Sequence, residues 1–261
     1  MSIAILISGA IREQVNLNVA LDVIDNLKEQ FSFMDKVDIY FTTWNPIKAN
    51  IDDKYDLDYR SYNKEFIDKI RSKVTYLYLF DRPEDYDHKY DVKIMQEPEM
   101  SVKFYRMFYG VNLLCENLQQ DYDYVCRCRN DIILKGDFKQ SIENLKNNIS
   151  DYETTYSFWT YDDCVTDQFC ITTQENFFKV WKNDKKEIFR MLEEWKEGPD
   201  KCVRFKLDLN NIKYRLFLPV YYLFKNIIYV ENSEIIIKNT NGYMHPFLEK
   251  IALLKNLKIK K

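Results

Sequence analysis

Residues 122–138 read YDYVCRCRNDIILKGDF. An apolar, strand-like core carries Arg127, Arg129 and Asp131 at every second position, which places all three on one side of an extended chain. Cys126 and Cys128 fall on the other side, where they pack as small hydrophobes. Two guanidiniums and a carboxylate on one face of a buried strand are costly unless something pairs with them. Two arrangements meet that demand: an internal Arg–Asp ion pair, or a phosphate-bearing ligand with its divalent cation.

The segments before this strand set its surroundings. Ile3 to Ile7 form a short apolar run closed by Ser8-Gly9, a buried strand entering a turn. Leu17, Leu21, Ile24, Leu27 and Phe31 then recur at helical spacing over about 12–30. Val37 to Thr43 reads as a second strand ending at Trp44-Asn45-Pro46, followed by a helix near 62–72 and a strand from Val74 to Phe80. Residues 81–98 read as a charged loop, and Phe104, Met107, Val111, Leu114 and Leu118 mark a helix over about 99–119. Alternating strands and helices of this kind imply a parallel sheet with crossover helices. Beyond residue 138 the pattern predicts strands near 155–160 and 165–172 and helices near 174–197. It then predicts an apolar helix over about 211–225, strands at 227–230 and 234–238, and a helical C-terminus from Pro246 to Lys261.

Composition bounds the rest. With 261 residues, 46% of them hydrophobic and only five glycines and six prolines, the chain suits one large α/β domain without flexible linkers. A net charge of −3 argues against nucleic acid as a partner. There is no apolar run long enough for a transmembrane helix, and MSIAILISGAIRE lacks the basic start of a secretory signal. The six cysteines show no CxxC pair or zinc spacing, which fits reduced, buried thiols in a cytoplasmic protein.

Four places invite a functional reading beside a plain one. Ser8, Gly9 and Arg12 lie where the first strand gives way to the first helix, an edge at which α/β sheets bind ligands and helix N-termini favour phosphate. An ordinary tight turn with a surface arginine is the alternative. Lys103 and Arg106, three residues apart on a helix, can hold a diphosphate or belong to a solvated face. Asp167 interrupts the apolar run CVTDQFCI near Asp163 and Gln168. It suits a general base for an acceptor hydroxyl, a turn cap, or a partner for a neighbouring arginine. His245, in GYMHPF, is a candidate ligand for a Mn²⁺-like ion or an ordinary hydrogen-bonding imidazole.

Taken in order, ISGAIR at 7–12, DIYFTTWN at 38–45, DYVCRCRND at 123–131 and TDQF at 166–169 resemble bacterial and viral glycosyltransferase-like proteins of polysaccharide synthesis, typified by the WavE lipopolysaccharide-synthesis family. The resemblance covers most of the first 180 residues. It implies a GT-A-like fold: a Rossmann-like, mainly parallel sheet flanked by helices, with a nucleotide-sugar half over about 1–135 and a mixed α/β acceptor half over 136–261. It also implies sugar transfer from a nucleotide-sugar to a glycan or lipid-linked acceptor in surface polysaccharide synthesis. Ser8, Gly9, Arg12, Trp44, Lys103, Arg106, Arg127 and Arg129 would serve the donor, and Asp167 would act in catalysis.

Such enzymes place a DxD-like motif after a central strand for a divalent cation, Mn²⁺ or Mg²⁺. Here that stretch is Arg129-Asn130-Asp131, leaving Asp131 and His245 as candidate ligands and the arginines to share the charge neutralisation. A catalytically silent binding module of the same fold, or another phosphate-handling transferase, are the competing readings. The terminal LEKIALLKNLKIKK carries Leu248, Ile251, Leu254 and Leu257 at three-residue spacing with Lys250, Lys255, Lys258, Lys260 and Lys261. That pattern suits either peripheral contact with an anionic membrane face or a core-packed helix with a lysine tail.

Overall fold

A computed structural model describes residues 1–9, 19–44, 64–80, 98–130, 138–147, 154–157, 165, 167–195, 198–217, 221–223, 226–231, 234–238 and 258–260. The strands are β1 (Ser2–Ser8), β2 (Lys36–Trp44), β3 (Tyr76–Phe80), β4 (Tyr124–Cys128), β5 (Thr154–Ser157), β6 (Phe169–Thr173), β7 (Tyr214–Phe217), β8 (Tyr221–Leu223), β9 (Asn226–Glu231), β10 (Glu234–Lys238) and β11 (Lys258–Lys260). The helices are α1 (Val19–Gln30), α2 (Lys64–Lys73), α3 (Pro98–Glu116), α4 (Phe138–Lys146), α5 (Gln174–Trp181), α6 (Lys185–Trp195) and α7 (Pro199–Leu209).

Seven strands form one sheet in the order β3-β2-β1-β4-β6-β5-β7, and β8 to β11 form a second sheet of four. β3, β2, β1 and β4 run parallel, as the alternation of strands and helices predicts. β6 runs antiparallel to β4 and joins the sheet's first half to its second. This mixed α/β arrangement agrees with the expected fold class.

The register explains why β1 is apolar throughout: it is paired on both sides and covered on both faces. Ala4, Leu6, Tyr40, Val125 and Cys170 share one buried cluster with Phe104, Phe108 and Leu114 of α3, Trp181 of α5 and Leu192 of α6. A second aromatic contact, Phe31 to Phe138 at 5.2 Å and Phe138 to Phe169 at 5.8 Å, ties the end of α1 and α4 to β6. At the amino edge of the sheet the Tyr122 hydroxyl donates to Asp38 at 2.7 Å and lies 2.7 Å from the Tyr40 hydroxyl. This polar anchor fixes the start of β4 against β2.

Three expectations need correction. β4 ends at Cys128, so Arg129 lies one residue beyond the strand. The Arg129 N–H still donates to Gln168 O, and the Asn130 side chain then bonds to Gly9 O. Asp131 lies outside the described residues. The apolar helix over 211–225 is absent: α7 ends at Leu209, Asn211 takes a left-handed φ of 52°, and β7 and β8 follow. Asn tolerates that conformation as a helix stop, and the aromatic-rich YRLF and YYL that follow favour strands. The C-terminal lysines Lys258 and Lys260 sit on β11, paired parallel to β10, where the helical pattern had predicted a turn of helix. Leu248, Ile251, Leu254 and Leu257 lie outside the described residues. No helix among the described residues is long and apolar enough to cross a membrane. Cys115, Cys126, Cys128, Cys170 and Cys202 are buried, as expected for cysteines in apolar runs, and Cys164 lies outside the described residues.

Gly110 lets α3 approach the ends of β1 and β2, since a Cβ there would lie 3.5 Å from Thr42 Cγ2 and 3.7 Å from Ser8 Cβ. Those are ordinary contacts, so Gly110→Ala should be tolerated and gain up to ~1 kcal/mol from helix propensity. Gly110→Leu should lose about 1–3 kcal/mol by overpacking. Urea unfolding midpoints check both, and a neutral leucine would show that α3 does not lie against these strands.

Candidate functional site

The carboxyl ends of β1, β2 and β4 meet at one edge of the sheet, and the antiparallel β6 begins there too. Ligands of open α/β sheets bind at this edge. The chain segments leaving the strands are tied together: the Gly9 N–H donates to Thr42 O at 3.4 Å, Asn130 Nδ2 to Gly9 O at 3.3 Å, and the Arg129 N–H to Gln168 O at 3.1 Å. Gly9 is needed for this closure. A Cβ at Gly9 would sit 2.7 Å from Asn130 Oδ1, and its φ is +157°.

Ser8, Thr42 and Thr43 are buried at this edge, and their hydroxyls have no hydrogen-bond partner among the described residues. Ser8 and Thr42 are register partners, so they lie side by side. A buried hydroxyl left unpaired costs about 1–3 kcal/mol, so Ser8 and Thr42, which share one face while Thr43 faces the other, mark a position where polar groups are expected to be met.

Arg127 is 1% exposed, and its guanidinium lies 4.6 Å from the centroid of the Trp181 ring. Its Nη2 is 3.8 Å from Asp167 Oδ2, a Coulombic contact longer than a hydrogen bond, while Nε and Nη1 have no partner among the described residues. Burial lowers the Arg127 pKa, opposed by the charge of Asp167. The nearby Cys170 thiol is pushed up to about 12, chiefly by burial. Asp167 is held in turn by the start of α7. Its N–H donates to Asp200 Oδ1 at 2.8 Å, and the Val165 N–H donates to Asp200 O at 3.1 Å. Burial, and then the charge of Asp167, push the Asp200 carboxyl up to about 8.

Of the residues singled out from sequence, Ser8, Gly9, Arg127, Arg129 and Asp167 gather at or beside this edge. Trp44 is the last residue of β2, and Lys103 and Arg106 lie on α3, but their side chains are outside the described set. Arg12, Asp131, Asp163 and His245 lie outside the described residues. Of the readings offered for Asp167, partnership with a neighbouring arginine matches the structure, which sets it beside Arg127.

Sequence reading missed Asn130 as the bridge to Gly9, and missed Thr42, Thr43, Trp181 and Asp200. Gly198-Pro199-Asp200 does carry a helix-start signal, but nothing in it points 33 residues back to Asp167.

A divalent cation needs several hard oxygen ligands. Among the described residues no three His, Cys, Asp or Glu side chains gather to hold a metal, and the end of β4 offers a guanidinium and an amide. The described residues therefore do not fit a metal site.

No protein-family model matches the sequence, and no curated protein matches it. Solved structures do match it in fold. The mannosyltransferase Ktr4p from S. cerevisiae aligns over 98% of this chain and 79% of its own, at 12% identity and a TM-score of 0.50. Mouse xyloside xylosyltransferase 1 in its apo form aligns over 83% of this chain and 85% of its own, at 8% identity and a TM-score of 0.45. The galactosyltransferase LgtC, solved with donor and acceptor sugar analogues, covers 81% of this chain and 72% of its own, at 10% identity and a TM-score of 0.43. At these identities the likeness is one of fold, and the chain has a GT-A-like architecture.

Asp167→Ala leaves the Arg127 guanidinium buried without its carboxylate, and should cost about 3–5 kcal/mol in unfolding free energy. The paired change Arg127→Met with Asp167→Leu should recover most of that, because apolar side chains need no compensating charge. A double variant as unstable as Asp167→Ala alone, in the same urea titration, would contradict this account of the pair.

Proposed function

We propose that the chain is a nucleotide-sugar-dependent glycosyltransferase that moves a sugar to a hydroxyl of a glycan or lipid-linked acceptor in surface polysaccharide synthesis. The observation that carries this reading is the carboxyl edge itself, where Gly9 and Asn130 meet beside the buried Ser8 and Thr42 hydroxyls, which have no partner among the described residues. The GT-A-like fold supports it.

In this reading the acceptor oxygen attacks the anomeric carbon as the bond from that carbon to the diphosphate oxygen breaks. The electron pair leaves with the diphosphate, and the acceptor proton passes to a base. Negative charge develops on the leaving group, so fixed cations aimed at it lower the barrier. Arg129, half-buried at the end of β4, and Arg12, Lys103 and Arg106 are the proposed cations. Asp167, 15% exposed at the same edge, is the proposed base, with an acceptor hydroxyl brought within hydrogen-bond reach. Arg127 is too deeply buried to meet the donor, and its role is to hold Asp167. Asp131 and His245 are the residues proposed to take Mn²⁺ or Mg²⁺, and the steps above do not run through that ion.

The test is a panel of nucleotide-sugars, with and without Mn²⁺ or Mg²⁺, read by calorimetric binding and by release of the nucleoside diphosphate. At least one donor should bind and be slowly hydrolysed. Gly9→Ala should weaken that donor about tenfold, ~1.4 kcal/mol, by displacing Asn130. Asp131→Ala should abolish turnover while the melting temperature holds. Donor binding without turnover, across acceptors, would instead favour a silent binding module. Turnover of nucleoside triphosphates would favour a nucleotidyl transferase.

A further inference from the structure

The start of α7 touches the proposed base from two sides. The Asp200 side chain accepts the Asp167 N–H, and the Asp200 carbonyl accepts the Val165 N–H. These two bonds clamp the segment that leads into β6, where Asp167 faces Arg127. Because Asp200 Oδ1 lies 2.8 Å from the Asp167 backbone nitrogen, the two carboxyl groups are close neighbours. Two carboxylates that close cannot both stay charged at little cost, and one proton between them removes the repulsion.

We propose that Asp200 is a positioning residue for Asp167: it clamps the 165–168 segment through its backbone and side chain, and shares one proton with the Asp167 carboxyl, so that the base is held in place only while that proton is present. The role in turnover rests on the glycosyltransferase reading, whereas the proton sharing does not.

Among the described residues, the charged and titratable groups around the pair are Arg127 from β4, which opposes Asp200 protonation, and Asp167 from the segment before β6, which promotes it. Arg127 in turn is flanked by Arg129, Cys128 and Cys170. Burial outweighs Arg127, and the Asp200 carboxyl holds its proton up to about pH 8 against an ordinary value of 3.8. The folded state thus binds one more proton than the unfolded state between those values. The stability supplied by that proton is complete below about pH 4, declines as pH rises, and is gone above about pH 8. Loss of the proton puts a second negative charge beside Asp167 and loosens the clamp.

Asp200→Asn keeps an oxygen for the Asp167 N–H and an N–H for the Asp167 carboxyl, but has no proton to lose. Asp200→Ala keeps neither. The experiment follows melting temperature from about pH 6 to about pH 9 in the wild-type chain and both variants, together with the pH profile of donor hydrolysis. The wild-type melting temperature should fall toward pH 8 relative to Asp200→Asn, whose difference curve removes every other titrating group. Asp200→Ala should melt below Asp200→Asn at every pH. Hydrolysis by the wild type should drop as pH passes about 8, while Asp200→Asn keeps a flat profile over that range, whatever its absolute rate.

The same pH dependence in wild type and Asp200→Asn would overturn the proposal, as would Asp200→Asn and Asp200→Ala melting alike. The predicted melting curves with no hydrolysis of any donor would support the shared proton and strike down the transferase reading instead.

Discussion

A guanidinium sealed inside the sheet is the constraint on which the site depends. Arg127 is the next-to-last residue of β4, between Leu6 of β1 and Cys170 of β6, where neighbouring residues are apolar. An uncompensated charge there costs several kcal/mol after relaxation. Two elements meet that cost. The Trp181 face of α5 lies 4.6 Å from the guanidinium, and Asp167 brings a carboxylate to 3.8 Å. Asp167 is in turn fixed by Asp200, so the demand of one buried cation is passed to β6, α5 and α7. Removing the charge would free all three elements from that requirement.

The remainder of the edge is organised by the backbone. Parallel strands deliver their carboxyl ends together, and Gly9 and Asn130 close the gap between β1 and β4 by a side-chain-to-carbonyl bond. That leaves the Ser8, Thr42 and Thr43 hydroxyls buried without partners among the described residues. A fold of this class serves many chemistries, so the architecture alone does not choose one. The proposal of a nucleotide-sugar rests on that polar edge, the nearby carboxylate and Arg129, with Arg12, Lys103 and Arg106 entering from the sequence alone.

Much of this arrangement could be read from the chain because it is local. The apolar run Ile3 to Ile7, the helical spacing of Ile24, Leu27 and Phe31, and the run before Gly9 each report their structure within a few residues. Arg127 was conspicuous for the same reason: a charge in an apolar run demands an explanation on its own strand. What failed was non-local or degenerate. Asp200 is 33 residues from the group it holds, and nothing in its own segment reveals that. The stretch after Asn211 is apolar and aromatic, a composition that suits a buried helix and a strand equally, and pairing of β7 with β5 decided it. Three leucines and an isoleucine spaced by three at the C-terminus suggested a helix, yet the last described residues pair as β11. The residues that carry that spacing lie outside the described residues.

The most direct test of the account is a crystal structure with a bound nucleoside diphosphate sugar. The account predicts the diphosphate at the carboxyl edge, over Gly9 and Asn130 and beside Arg129, with Arg127 still buried behind Asp167. Donor seated at the opposite edge, near Tyr40, Tyr122 and Asp38, or no donor bound at saturating concentration, would contradict it.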